Sequence, residues 1–248
     1  MESTQHAQHA TEPNRLLRAM PPDEYAALID YMEPVELPSR YVLWQAEATI
    51  RSLYFPRSCV VSFLLPLKDE QPVEAATVGR EGMAGTPVLL GVRATNVQAI
   101  AQVPGAALRV DAERFMAQVR SADGKLFPLM LRYAQALQEQ TTQSVACNRR
   151  HGIDERCARW LLMTQDRVGD DRFPLTQEFL AFMLGVRRAT VTVAAGMLQQ
   201  AGLIRYHRGQ IMVLDREGLE AASCECYGAV RRTYDQLLGD GGSGASST

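Results

Sequence analysis

No stretch of this 248-residue chain comes near the run of about 18 apolar residues that crosses a membrane. The polar opening MESTQHAQHATEPN also lacks the apolar core of a secretory signal. Together these absences predict a cytoplasmic chain with no membrane partner. Cysteine is scarce and unpatterned: five residues at irregular spacing predict reduced thiols rather than a disulfide framework. Catalytic signatures are missing too. No Ser-His-Asp set or carboxylate pair stands out, and GREGMAG (79–85) has no P-loop lysine. An enzyme is not expected.

A net charge of −2 excludes a protein that is basic over its whole surface. The positive charge is instead concentrated. From Arg172 to Arg208 there are five arginines and a single acid, Glu178. Charge gathered in one segment of a mildly acidic chain suits an anionic partner for that segment alone.

Residues 1–14 and 239–248 have no apolar periodicity and read as disordered, and His6 and His9 as inert. A short helix carrying Leu16, Leu17 and Met20 precedes a second helix after Pro21-Pro22. From Val35 to Val110, short apolar runs near residues 41–44, 52–55, 60–65, 74–78, 97–103 and 108–110 alternate with Pro, Gly and charged breaks. That spacing predicts a small barrel or sandwich. A long helix follows over 123–149. Its Leu126, Met130, Tyr133, Leu137, Gln140, Ser144 and Cys147 recur at spacings of four and three. Such a seam pairs two helices of a homodimer, or else packs the helix on its own barrel. After the break at RRHGID another amphipathic helix is expected over 153–168, and GDDRFP makes a turn.

Residues 175–204 read LTQEFLAFMLGVRRATVTVAAGMLQQAGLI. Thr176 suits the N-cap of a short helix with Phe179, Leu180, Met183 and Leu184 on one face. Gly185 supplies a left-handed turn. A second helix over 187–201 buries Val191, Ala195 and Leu198 and leaves Arg188, Ala189, Thr192, Val193 and Gly196 on the other face, ending at Gly202. Two helices about a glycine turn make a helix-turn-helix, whose second helix enters the DNA major groove by its N-terminal end. LIRYHRGQIMVL then predicts a hairpin wing that brings Arg205, His207 and Arg208 to the backbone.

With these pieces in order, the chain from Arg15 to Tyr227 resembles the family of the cyclic-AMP receptor protein and the fumarate–nitrate reduction regulator (Crp/Fnr). The segment LTQEFLAFMLGVRRATVTVAAGMLQQAGLIRYHRGQIMV carries most of the likeness, and LRAMPPDEYAALIDYMEPVELPSRYVLWQAEATIRSLYFPRSCVVSFLL supports it. The resemblance implies an α+β fold. A cyclic-nucleotide-binding-type β-roll, jelly-roll-like, would occupy 15–122, a dimerisation helix 123–149 and a winged helix-turn-helix 150–238. It implies a homodimeric transcriptional regulator on a palindromic operator, with double-stranded DNA, a second copy, RNA polymerase and a small-molecule or nucleotide effector as partners. Arg188 falls on the family's guanine-reading arginine and Thr190 on a phosphate contact. Arg187, Thr176, Thr192, Arg205 and Arg208 are the further expected DNA contacts. Ala189 stands where a glutamate is usual and Val193 where a second arginine is, which predicts a different operator.

The effector cassette matches in part. Gly82 fits its glycine and Arg93 its phosphate-binding arginine, whereas Met83 replaces the ribose-binding glutamate and Ala94 a serine. Thr141 and Thr142 fall where the family touches the purine. Each lost charge-assisted hydrogen bond forfeits about 1.5–3 kcal/mol, so control by cyclic AMP is not expected. A cyclic-nucleotide receptor using Arg93, Thr141 and Thr142 is the alternative, and a scaffold with a vestigial DNA-binding half is the rival of another class. Three turn glycines of the β-roll are Arg40, Glu47 and Cys59 here, which predicts remodelled turns. No cysteine precedes Cys59, so the N-terminal iron–sulfur centre of the oxygen-sensing branch is not expected. Cys224 and Cys226, with distant Cys147, Cys157 and His151, lack the spacing of a structural zinc site. They read as bystander thiols or a redox-responsive pair, with no metal. Haem ligation through His151 or a cysteine rests on fold analogy alone.

Overall fold

Asn14 is the first fixed point of the chain. Its Nδ2 donates to the carbonyls of Pro56 (2.8 Å) and Gly82 (2.7 Å), and its Oδ1 accepts from Leu17 N–H (3.1 Å), capping a helical turn. A computed structural model describes residues 7–68, 72–121 and 125–239. Within them the expectation of a disordered leader is corrected for residues 7–14; 1–6 and 240–248 lie outside the described residues. Residues 7–10 are helical. The His9 ring stacks on Tyr25 at 4.4 Å, and the buried Glu12 accepts from Arg57 and from Tyr25 Oη. The segment is polar because its partners inside the fold are polar, which composition cannot distinguish from solvation.

Helices α1 (Arg15–Arg18) and α2 (Pro22–Ile29) lead into strands β1 (Glu33–Leu37), β2 (Val42–Trp44), β3 (Ser52–Pro56), β4 (Val60–Leu65) and β5 (Val73–Val78). A helical turn α3 (Thr86–Leu89), strands β6 (Gln98–Val103) and β7 (Gly105–Asp111), and helix α4 (Ala112–Ser121) complete this half. The strands form two antiparallel sheets, β1-β7-β3 and β2-β6-β4-β5, which share one apolar core. The small barrel or sandwich read from the strand spacing is therefore present.

At two of the three positions where the family has glycine, the turn keeps a glycine-type backbone. Arg40 and Glu47 adopt φ of 66° and 62°, held by Arg40 N–H to Ala101 O and Glu47 N–H to Thr95 O, both 2.7 Å. A side chain in the left-handed region costs about 1–2 kcal/mol, partly offset by glycine's greater unfolded entropy. Arg40→Gly and Glu47→Gly should each stabilise the fold by about 0.5–1 kcal/mol, read as a rise in melting temperature. Cys59 is accommodated differently. Gly105 (φ 154°) approaches so closely that a Cβ there would lie 2.9 Å from Cys59 N.

The long helix α5 (Leu126–Arg150) lies on the roll and corrects the expected dimer seam. Leu126, Met130 and Tyr133 are fully buried in the chain's own core, and Tyr133 Oη donates to Met83 O at 2.7 Å. Gln140 Nε2 donates to Thr77 O (2.8 Å), Ser144 Oγ accepts from Arg159 (3.1 Å), and Leu137 is half-buried. The more apolar face of the helix belongs to the chain's own roll. The other seam is one position along. Phe127, Leu131 and Val145 are 42%, 41% and 68% exposed, with Ala134, Gln138 and Thr141 between them at the same spacing of four and three.

After the break at His151-Gly152 come α6 (Ile153–Val168), β8 (Arg172–Pro174), α7 (Gln177–Leu184) and α8 (Arg188–Gln200). Strands β9 (Ile204–His207) and β10 (Gln210–Val213), then α9 (Arg216–Ala222) and α10 (Cys226–Leu238), finish the chain. This half has its own core, which also takes in Val60, Leu64, Ile100 and Val103 of the roll, and α10 folds back along α5.

Polar residues stitch the halves together. Glu74 on β5 accepts from Ser62 Oγ (2.8 Å) and from Trp160 Nε1 on α6 (3.2 Å). Desolvation at this junction pushes its carboxyl up from 4.5 to about 7, against the pull of those two donors. The folded chain thus favours the neutral acid. The associated stability is complete below about pH 4.5 and is lost as pH rises through about 7. Thermal melts should show that decline for the natural chain and a flatter profile for Glu74→Gln over the same range.

Candidate nucleic-acid interface

Thr176 caps α7 as its sequence suggests, with its hydroxyl accepting from Phe179 N–H at 3.1 Å. Gly185 follows at φ 65°, and the axes of α7 and α8 then differ by 106°, within the usual range of a helix-turn-helix. Val191, Ala194, Ala195 and Leu198 bury one face of α8. Arg187, Arg188, Ala189, Thr190, Thr192, Val193 and Gly196 lie on the exposed side, and Gly202 (φ 75°) ends the helix.

Strand β10 pairs with both β8 and β9, and the β9–β10 connection is the two residues Arg208-Gly209 between paired His207 and Gln210. Both have positive φ (48° and 75°), the conformation of a tight hairpin whose twist matches its strands. This projects Arg208 from the tip, with Arg205 exposed on β9. Two glutamines that sequence reading passed over fix the parts. Gln199 Oε1 accepts from Tyr206 N–H (2.7 Å), tying wing to α8, and Gln177 Oε1 lies 2.9 Å from the Thr192 hydroxyl, tying α7 to α8. Only their positions beside a helix-turn-helix signature could have flagged them.

The setting of these arginines differs from that of Arg167 and Arg216. Arg167 and Arg216 are engaged with carboxylates inside the fold. Among the described residues, the side chains of Arg187, Arg188, Arg205 and Arg208 have no hydrogen bond or ion pair, and all four are exposed. The N-terminal backbone of α8 adds its own positive end, since Arg187 makes no side-chain cap.

Residues 155–222 match the family of Crp-like helix-turn-helix domains. No curated protein matches the chain in sequence. Solved structures do. FixK2 from Bradyrhizobium japonicum gives a TM-score of 0.66 at 15% identity, over 78% of this chain and 98% of that one. TTHB099, a CRP-family transcriptional regulator from Thermus thermophilus, gives 0.62 at 18% identity, over 76% and 96%. The c-di-GMP responsive global regulator CLP of Xanthomonas campestris gives 0.58 at 14% identity, over 77% and 98%. The chain therefore has the fold of Crp/Fnr transcriptional regulators, with a helix-turn-helix behind a β-roll. No single helix among the described residues is long and apolar enough to cross a membrane.

The residues of the effector cassette are engaged elsewhere. Met83 is fully buried, and a Cβ on Gly82 would lie 2.1 Å from the Tyr133 ring, so Tyr133 occupies the space in front of that loop. Arg93 pairs with Glu113 at 2.8 Å on the surface, both side chains more than half exposed. Ala94 is half-buried beside it. The Thr141 and Thr142 hydroxyls donate to their own helix, at Leu137 O (2.9 Å) and Gln138 O (3.0 Å).

One reading of the cysteines also changes. Cys157 lies in the apolar core of the DNA-binding half, but Cys147, His151, Cys224 and Cys226 converge, their ligand atoms within 4.8 Å of one another. Sequence spacing hid this because 72 residues of folded chain (152–223) separate the two halves of the cluster.

Proposed function

We propose that the chain is a homodimeric, sequence-specific DNA-binding transcriptional regulator that reads a palindromic operator without cyclic AMP. The carrying observation is the set of four exposed, unpaired arginines gathered at the head of α8 and on the wing beside it. In this reading Arg188 forks onto a guanine. Arg187, Thr190, Arg205 and Arg208 hold phosphates, and Thr176 and Thr192 set the register of α7 and α8 on the duplex. A sensor over 15–122 passes its state through the helix of 123–149 to the reader of 150–238.

Two copies would pair through Phe127, Leu131, Ala134, Gln138, Thr141 and Val145, the open seam of α5. Buried Met83 and the Arg93–Glu113 pair support an effector other than cyclic AMP, or none.

Selection of bound sites from random duplex DNA at fixed salt, with and without cyclic mono- and dinucleotides, tests the reading. One palindrome enriched without additive is expected. Enrichment only with a nucleotide would make the chain a cyclic-nucleotide receptor, and no enrichment under any condition would leave the scaffold reading. Leu131→Arg with Val145→Arg should turn the dimer into a monomer in sedimentation and abolish binding to the palindrome. An unchanged dimer would reject the shifted seam.

A further inference from the structure

The long helix ends in Cys147 and, four residues on, His151, whose side chains share one face. The segment leaving the winged domain carries Cys224 between α9 and α10 and Cys226 as the first residue of α10. The three cysteines form a buried cluster of their own, outside both apolar cores, and His151 is half-buried beside them. Three thiols without an aliphatic shell are a poor core. They are a complete donor set for a soft or borderline divalent ion.

The distances decide the class. Cys147 Sγ and Cys224 Sγ are 3.5 Å apart, as are Cys226 Sγ and His151 Nδ1, and all four donor atoms fall within 4.8 Å of one another. Bonds of about 2.3 Å from zinc to sulfur and 2.0–2.1 Å to nitrogen make tetrahedral edges of about 3.8 and 3.6 Å. An iron–sulfur cluster would spread its ligands over several irons, whereas these four point at one centre.

The surroundings fit the same assignment. His151 presents Nδ1 to the thiols, and its Nε2 lies 3.1 Å from Glu225 Oε2, the carboxylate–histidine arrangement that orients a metal-bound imidazole. Gln143 Nε2 donates to Cys226 Sγ at 3.0 Å. Three thiolates and a neutral imidazole around a divalent ion leave one net negative charge. Arg156 and Arg159 stand within electrostatic reach of Cys147, each with a buried Nε that has no hydrogen-bond partner among the described residues.

We infer that Cys147, His151, Cys224 and Cys226 bind one structural Zn²⁺ that pins the end of α5 to the segment leaving the winged domain. With four protein ligands the ion has no open position, so its role is mechanical. It spans the break at His151-Gly152, the joint about which the DNA-binding half would otherwise turn on the long helix. Binding displaces the thiol protons and changes no oxidation state.

The test is metal content and affinity of the full chain, purified and reconstituted with Zn²⁺ under reducing conditions. About one zinc per chain is expected, and cobalt substitution should give thiolate-to-metal charge transfer with the visible bands of a tetrahedral ion. Removing zinc with a chelator should lower the melting temperature and expose the thiols to alkylation. Cys226→Ser should lose stoichiometric metal. Because a ligand variant can misfold, the exposed Glu225 gives an independent reading: Glu225→Ala should keep the fold and bind zinc about 10–100-fold more weakly. A folded natural chain that takes up no zinc would overturn the assignment. So would cobalt binding without thiolate bands, iron-cluster absorbance in place of zinc, or unchanged affinity in Glu225→Ala.

Discussion

Glu81→Ala is expected to lower the stability of the folded chain by about 3–5 kcal/mol, a fall in melting temperature of roughly 10 °C. Glu81 and Arg167 form an ion pair at 2.7 Å with side chains only 14% and 5% exposed. Arg167 Nη2 also donates to Gln140 Oε1 (2.8 Å), which accepts from Tyr234 Oη as well (3.1 Å). The network thus joins the β-roll loop to α5, α6 and α10, and Gly79 leaves room for it, since a Cβ there would lie 2.2 Å from Arg167 Cβ. Removing the carboxylate leaves a guanidinium buried and uncompensated, which costs more than the pair contributed. Glu81→Leu with Arg167→Met removes both charges and should recover most of the loss. Thermal melts of the three variants decide the matter. A single variant as stable as the natural chain would mean that solvent reaches Arg167.

This network also shows where sequence reading stops. Gln140 falls on a 4-3 repeat with Leu126, Met130 and Tyr133, and all four are buried on one face of α5. A period fixes which residues share a face, though, and says nothing about what that face meets. The DNA-binding half was legible because its determinants are local: the Thr176 cap, the left-handed Gly185 and the Arg208-Gly209 turn are each decided within a few residues. The leader was not. Glu12 and Asn14 are satisfied by Arg57, Pro56 and Gly82, between 42 and 68 residues away. The cysteine cluster fails the same way, since ligand spacing rules describe sites built from short loops. At Arg40 and Glu47 the rare left-handed conformation is kept, because backbone hydrogen bonds hold the turn at a modest cost.

The candidate interface divides into residues that read and residues that hold, and substitution should separate them. Arg188 is the first residue of α8, exposed and free of ion pairs among the described residues, at the end by which α8 would enter the groove in the proposed reading. Arg188→Ala should weaken binding to the selected operator by about 1–3 kcal/mol per half-site, roughly 5- to 150-fold. The loss should come with relaxed preference at one base pair of each half-site. Arg205→Ala and Arg208→Ala remove charge from the wing, where phosphate is the nearest target. Their losses should be similar on all sequences, and each phosphate contact removed should lower the slope of log affinity against log salt by about one. Ala189 and Val193 flank Arg188 on the exposed face with no polar side-chain atoms, so in the proposed reading they offer only apolar contact, of the kind a thymine methyl accepts. A salt titration of the three variants on the selected operator and on a scrambled duplex distinguishes the roles. If Arg188→Ala weakened both duplexes equally, Arg188 would be a phosphate contact, and the sequence preference would have to come from the shape of the DNA.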